Sequence, residues 1–311
     1  MPLLNAAGWL GAAGAFRVAL DILLLGMFGG FYIVPLYATV QQRSAAKHRS
    51  RIIAANNVLN ALFMVCASLL AITVLGNDFS IGELFLLVSI LNGVVAIYIY
   101  TQAPEFILRF CTWILIHLLY RIRIEGSENL PAKGPVLLAC NHVSYVDALV
   151  IGGCLRRPVR FIMYYKIFEI PVLRSLFRVA GAIPIASAKE NPQMLEHAYE
   201  SIDKMLARGE VVCIFPEGQI TRTGELNPFR PGLEKILKQR LVPVVPMALA
   251  GLWGTFFSRA GAGVMRRLPK PLWHRVILRL GPALPPDQVT RAGLQAVVTE
   301  LAAEQAPPAC S

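Results

Sequence analysis

Three segments of the chain are apolar over membrane-crossing lengths. Residues 18–40 are interrupted only by Asp21 and Pro35, residues 52–75 carry Asn56, Asn57 and Asn60 near their start, and residues 81–100 hold Glu83 near their entrance. A bilayer's hydrocarbon core takes about 20 helical residues to cross, so each segment predicts a transmembrane helix. The asparagine trio is then expected to face protein or water. Residues 106–120 are a fourth apolar run, shorter than a span, with Arg109 and His117 inside it and Arg121 and Arg123 just beyond. This pattern predicts an interfacial helix, and it suits a buried helix of a globular domain equally.

From Arg121 the texture changes. Short β-like runs at residues 121–125, 136–140, 159–163, 182–186, 211–215, 242–249 and 276–280 alternate with helical periodicity at 144–154, 191–207 and 232–239. Alternation of this kind predicts an α/β layered domain. The expected organisation is a membrane region of three helices over residues 1–103 and an α/β domain over 104–305 that includes the interfacial helix. Residues 306–311 read as a loose tail.

Composition sharpens the picture. Of 311 residues, 55% are hydrophobic and only 16% charged, which with a mean hydropathy of +0.54 points away from an ordinary soluble protein. The net charge of +11 sits almost wholly behind the spans: residues 1–100 hold five Lys/Arg against three Asp/Glu, and the remainder 25 against 16. A basic domain tied to apolar helices fits an anionic lipid surface. No nucleic-acid motif is present. The six cysteines form no C-x-x-C pair and read as reduced thiols. The first apolar run is too long for a signal-peptide core and reads as retained. The loop at 41–51 carries Arg43, Lys47, Arg49 and Arg51, whereas the loop at 76–82 has no Lys or Arg. The positive-inside rule then predicts a multi-pass inner-membrane protein with everything after Thr101 in the cytoplasm.

Two constellations carry chemistry. In the run Asn141-His142-Val143-Ser144-Tyr145-Val146-Asp147, an apolar strand delivers His142 to a strand end. Ser144 is expected to cap the following helix, with Asp147 at its third position turned back toward the imidazole. A carboxylate there fixes the tautomer of a general base and stabilises the imidazolium. A simple capping box beside an ordinary loop histidine has the same spacing. The second run, Phe215-Pro216-Glu217-Gly218-Gln219-Ile220-Thr221-Arg222, also follows a strand, at the edge where α/β sheets place ligands. Gly218 permits close backbone approach, and Thr221 and Arg222 offer donors suited to phosphate oxygens. Glu217 is placed to accept a substrate hydroxyl or to hold Arg222. A turn with a surface ion pair is the plain alternative.

Together these runs resemble the 1-acylglycerol-3-phosphate acyltransferase (PlsC-like) family of glycerolipid acyltransferases, over roughly residues 104–290. His142 and Asp147 stand where the family's N-H-x-x-x-x-D block has its base and orienting acid, and residues 215–222 resemble its F-P-E-G block. Residues 181–187 resemble the glycerophosphate-binding block, lacking an arginine often found there, with Lys189 as a nearby substitute. Residues 242–246 resemble the last block, which shapes the acyl site. Lys166 lies in a segment resembling the family's lysine-bearing stretch. The stretch Gln219-Ile220 before Thr221-Arg222 departs from the family, where Thr-Arg commonly follows Gly directly.

The resemblance implies a glycerolipid-acyltransferase-type domain. In it His142 deprotonates the free hydroxyl of a lysophospholipid, of 1-acylglycerol-3-phosphate or lysophosphatidylethanolamine type. The alkoxide then attacks the thioester of acyl-CoA or acyl carrier protein (acyl-ACP), with backbone donors at strand ends holding the oxyanion. Glu217, Gly218, Thr221 and Arg222 are the implied glycerophosphate contacts. No metal and no cofactor beyond the acyl co-substrate is implied, and the expected partners are membrane lipids. Residues 1–101 resemble the closing helices of a major facilitator superfamily lysophospholipid transporter. Three helices cannot supply that fold's two six-helix halves, so the expectation is the rear of a transporter-acyltransferase fusion.

Two further functions remain open. Strand alternation places Cys140 on the side of His142, so an acyl-cysteine route is conceivable. The other is a transport or scaffold fragment with an inactive acyltransferase half. The chain has no G-x-S-x-G elbow, P-loop, H-E-x-x-H or G-x-G-x-x-G motif.

Overall fold

The computed structural model describes residues 14–45, 47–102, 104–259 and 273–303. The proposed tail at 306–311, with Cys310, lies outside them. The chain divides into two compact units, Met1–Val95 and Ala96–Ser311.

In the first unit, α1 (Ala15–Arg43) and α2 (Arg49–Gly76) are followed by α3 (Ile81–Gln102), which continues into the second. All three are long and apolar enough to cross a membrane, with mean hydropathies of 1.9, 2.4 and 2.0 over the spanning stretches. No described residue of α2 is buried, and Phe63 and Ile72 are more than two-thirds exposed, as suits helices whose solvent is lipid. Two of the three asparagines find protein: Asn56 and Asn60 both donate to the Tyr37 hydroxyl on α1, at 3.0 and 3.1 Å. Glu83 closes a capping box at the start of α3, accepting from the Ser80 backbone N–H at 2.8 Å while its own N–H reaches the Ser80 hydroxyl at 3.3 Å.

The second unit opens with α4 (Pro104–Leu119). Thr112 and Ile116 are buried, whereas Trp113, Leu115 and Leu118 on the other side are exposed. The helix ends one residue before its sequence expectation because Tyr120 already pairs as the first residue of β1 (Tyr120–Glu125). Six strands follow: β2 (Val136–Cys140), β3 (Val159–Tyr164), β4 (Ile183–Ile185), β5 (Val211–Ile214), β6 (Val244–Ala250) and β7 (His274–Leu280). They form one mixed sheet in the order β1-β7-β6-β2-β5-β3-β4, parallel throughout except between β6 and β7.

The helices between them are α5 (Asp147–Cys154), α6 (Pro171–Val179), α7 (Pro192–Ala207), α8 (Gly232–Gln239) and α9 (Arg291–Ala303). Alternation along β2 shows why both faces are covered. Val136, Leu138 and Cys140 join Ile116, Val150 and Ile151 of α4 and α5 in one core. Leu137 and Ala139 join Ile202, Ile236 and Val298 of α7, α8 and α9 in the other. All five residues of β2 are fully buried, the mark of a central strand with helices on both sides. The C-terminal ends of β6, β2, β5, β3 and β4 therefore share one edge of the sheet.

Close approach of α4 to α5 depends on Gly153, where an added Cβ would lie 2.4 Å from Cδ1 of the buried Ile116 and 3.2 Å from its Cγ1. Overpacking of this kind typically costs about 1–3 kcal/mol. Gly153→Leu is expected to lower the Tm of the detergent-solubilised protein by several degrees, and an unchanged Tm would show that α4 is not held to α5 through this contact.

Candidate active site

His142 lies just beyond β2, and its imidazole is held at Nδ1 and across one face. Nδ1 is 2.8 Å from Oδ2 of Asp147, and the ring stacks on Phe215 with centroids 4.2 Å apart and planes inclined by 17°. The side chain remains 21% exposed while that of Asp147 is fully buried. Oδ2 of Asp147 also accepts the backbone N–H groups of Val143 at 2.7 Å and Ser144 at 2.9 Å. An ionised carboxylate accepts only, so the network assigns the proton to Nδ1 and leaves Nε2 as the basic nitrogen. Burial raises the Asp147 pKa above the ordinary carboxylate range, and the bond from His142 works against that rise.

The expected capping box is not what brings the pair together. Helix α5 begins at Asp147 itself, and no side chain caps it. The Ser144 hydroxyl donates instead to the Phe257 carbonyl at 3.0 Å. The carboxylate draws the 143–144 backbone around itself, and Asp147 rather than Ser144 organises the turn.

The second constellation meets the first through backbone. Oε1 of Glu217 accepts the His142 backbone N–H at 2.7 Å. Oε2 accepts both the backbone N–H and the side-chain amide of Asn227, at 2.8 and 2.7 Å. Glu217 is 1% exposed and Thr221 likewise. The Thr221 N–H donates to the His142 carbonyl at 2.9 Å, and its hydroxyl donates to the Glu225 carbonyl at 2.6 Å while accepting the Gly224 N–H at 3.1 Å. Both side chains, expected from the sequence to touch a glycerophosphate, hydrogen-bond within the protein in this structure, Glu217 to the His142 backbone and to Asn227, and the Thr221 hydroxyl within the 221–225 turn. Desolvation raises the Glu217 pKa, and the Asn227 and His142 N–H groups oppose that. Gly218 adopts φ +66° in the turn, where its N–H closes onto the Phe215 carbonyl at 2.9 Å. Arg222 is exposed, with no side-chain partner among the described residues.

Sequence reasoning gave no role to three further features. Asn141 is buried, and its amide exchanges two hydrogen bonds with Leu249 on β6, at 3.0 and 2.7 Å, locking the end of β2 to its neighbour. Residues 252–259 fold over both loops: the Tyr145 N–H donates to the Phe257 carbonyl at 3.1 Å, and the Trp253 indole lies where a Gly224 side chain would be, 2.7 Å from its built Cβ. An apolar pocket between α4, α5, β3 and α6 is lined by Leu108, Thr112, Ala148, Leu149, Phe161 and Phe177, beginning one residue after Asp147.

Cys140 shares a core with Val143 and Phe215. It is fully buried in the core beneath α5, and burial pushes its thiol pKa well up, so the thiolate an acyl-cysteine route needs is disfavoured. The described cysteines 66, 111, 140, 154 and 213 are all unpaired, and the described residues hold no cluster of three or more His, Cys, Asp or Glu able to bind a metal. On the same sheet edge, the Lys166 ammonium lies about 6 Å from the Tyr164 and Tyr165 ring centres, and the Tyr164 hydroxyl donates to Glu190 at 2.7 Å. Lys189 is exposed.

Residues 121–250, which include both constellations, match the family model described as Acyltransferase. The chain is 30% identical over 162 residues to a chloroplastic 1-acyl-sn-glycerol-3-phosphate acyltransferase of Brassica napus, covering 52% of this chain and 46% of that protein. It is 30% identical over 131 residues to the 1-acyl-sn-glycerol-3-phosphate acyltransferase of Bacillus subtilis (strain 168), covering 42% and 63%. The crystal structure of the 1-acyl-sn-glycerophosphate acyltransferase PlsC of Thermotoga maritima is similar at 22% identity and a TM-score of 0.45, over 59% of this chain and 71% of that one. The chain thus spans about half to two-thirds of the length of these relatives.

The brace itself can be tested. Glu217→Gln keeps the shape but sets an amide N–H against donors from either His142 or Asn227. Leaving a buried donor unmatched costs about 1–3 kcal/mol. The variant is expected to lose at least tenfold in kcat with the KM for acceptor changed less than twofold. A raised KM at normal kcat would instead make Glu217 a substrate ligand.

Proposed function

We propose that the chain is a membrane-bound O-acyltransferase that moves a fatty acyl group from a thioester donor to the free hydroxyl of a lysophospholipid. The observation that carries this is the His142–Asp147 pair, with Nδ1 tied to a buried carboxylate and Nε2 free at the sheet edge. In the proposed reaction Nε2 takes the acceptor hydroxyl's proton as its oxygen attacks the thioester carbonyl. The tetrahedral intermediate collapses by breaking the C–S bond, and the departing thiolate recovers the proton from His142. Asp147 stabilises the imidazolium between those events. Relatives named 1-acyl-sn-glycerol-3-phosphate acyltransferase support a lysophosphatidate-type acceptor, with lysophosphatidylethanolamine as the other acceptor of the same chemistry and acyl-CoA or acyl-ACP as donor. The apolar pocket beside α5 suits an acyl chain. The three long helices serve as the membrane anchor, of transporter-like origin.

His142→Ala is expected to reduce acyl transfer by about 10²- to 10⁴-fold, the usual contribution of a general base, while Cys140→Ala keeps most of it. Purified protein with lysophosphatidate, lysophosphatidylethanolamine and glycerol 3-phosphate, each crossed with acyl-CoA and acyl-ACP, supplies the assay. Near-normal turnover by His142→Ala, or an acyl group trapped on Cys140, would overturn the mechanism. No transfer by the unaltered protein to any acceptor would favour the transport or scaffold reading.

We place the acyltransferase unit in the cytoplasm, where thioester donors are made. The basic loop at 41–51 and the Lys/Arg-free loop at 76–82 support that orientation, with the basic residues around α4 meeting anionic head groups. In a background lacking the six native cysteines, Asp78→Cys is expected to react with an impermeant thiol reagent in intact cells and Ser44→Cys is not. The reverse labelling would invert the topology.

A further inference from the structure

If Glu217 and Thr221 are spent on the protein, the anionic end of an acceptor must be met by other groups near the Gly218 turn. Arg222 is one. The other is Arg230, which follows in sequence after the braced Asn227 and lies across Gly218. A Cβ added at Gly218 would fall 2.9 Å from Arg230 Cδ, 2.9 Å from Nε and 3.1 Å from Cζ. The side chain is thus laid directly on the backbone of the turn that links Glu217 to Arg222.

Three features hold it there. The Arg230 N–H donates to the Pro216 carbonyl at 2.8 Å. Phe229 before it is 5% exposed, with its N–H donating to Gln295 Oε1 at 3.0 Å. Pro231 after it precedes α8. A long side chain anchored at its base and stacked on a glycine has less conformational freedom to lose on binding than a solvated surface arginine. Yet its guanidinium, like that of Arg222, has no carboxylate or carbonyl partner among the described residues. Glu217, the acid in the turn, is already engaged by His142 and Asn227.

The geometry points to Arg230 as a second phosphate-binding residue, acting with Arg222 on the acceptor's head group. This rests on the acyltransferase reading above and adds a specificity to it. A phosphate monoester carries close to two negative charges at neutral pH and can use two guanidinium forks. A phosphodiester such as lysophosphatidylethanolamine carries one and gains less from the second fork. Gly218 is required on this account for a second reason besides its positive φ, since any side chain there would displace the arginine.

The test measures Arg230→Gln and Arg230→Lys beside the unaltered protein, with two readouts. In the acyltransferase assay, Arg230→Gln is expected to raise the KM for lysophosphatidate roughly 10- to 100-fold, as loss of a charged hydrogen bond does. Its kcat should stay within about twofold, its KM for lysophosphatidylethanolamine should change less than about threefold, and Arg230→Lys should recover part of the loss. By titration calorimetry, glycerol 3-phosphate should bind the unaltered protein at least tenfold more tightly than Arg230→Gln. Unchanged KM and unchanged glycerol 3-phosphate affinity would overturn the assignment, as would an equal loss on both acceptors or a fall in kcat alone. If the unaltered protein transfers no acyl group yet the calorimetric difference holds, the acyltransferase reading fails and the phosphate site stands.

Discussion

Burying the Asp147 carboxylate beyond the reach of solvent costs several kcal/mol unless hydrogen bonds replace its lost hydration. Three N–H groups converge on Oδ2 to do so, two from the backbone and one from the His142 ring. Oδ1 has no hydrogen-bond partner among the described residues, so the charge leans heavily on the donors it has. That dependence fixes the turn from His142 to Asp147, because Val143 and Ser144 must present their N–H groups inward. It fixes the imidazole too, whose Nδ1–H is the one donor able to become a full cation. A five-residue spacing between the two side chains follows from wrapping one backbone turn around one oxygen.

The remainder of the site is built by holding that turn from the other side. Strand order places β2 between β6 and β5, and both neighbours fasten its C-terminal end. From β6, Leu249 receives the Asn141 amide. From the loop after β5, Glu217 and Thr221 grip the N–H and the carbonyl of His142, while Phe215 covers one face of its ring. Catalytic geometry within tenths of an ångström requires such support, because a loosely held base forfeits the advantage of proximity. The turn after β2 and the loop after β5 are both covered by residues 252–259, which lie outside the two sequence motifs.

Much of this was legible in the sequence, and what was not has physical reasons. Strand β2 and helix α8 match their expected ranges, since an unbroken apolar run and a clear amphipathic stripe leave little choice of structure. His142 and Asp147 are brought together as expected. The helix starts at Asp147 rather than after Ser144 because Ser-x-x-Asp fits a capping box and also fits a turn wrapped around a buried aspartate, and only burial separates them. Helices α6 and α9 carry only a weak sequence signal. The first is nine residues long and opens on Pro171, and the second carries Gly293 and buries only Leu294 and Val298. Glu217, Thr221 and Asn141 looked like ligands or passed unmarked because a polar side chain beside a catalytic residue has one composition whether it faces substrate or backbone. The direction it faces is a tertiary fact.

That direction gives the site its electrostatic character. Both carboxylates nearest the His142 ring, Asp147 and Glu217, are turned into the protein and satisfied by N–H donors. The cations on the same edge, Arg222, Arg230, Lys166 and Lys189, are turned outward and exposed. Segregation of this kind lets one sheet edge hold buried acids beside the His142 ring and still present a positive face to solvent. Mixing the two signs at the surface would pair them with each other, worth little in stability, and would leave no net attraction for a phosphate. The brace and the positive face are thus two outcomes of one constraint, the need to satisfy the buried acids with N–H donors of the backbone, His142 and Asn227 rather than with arginine.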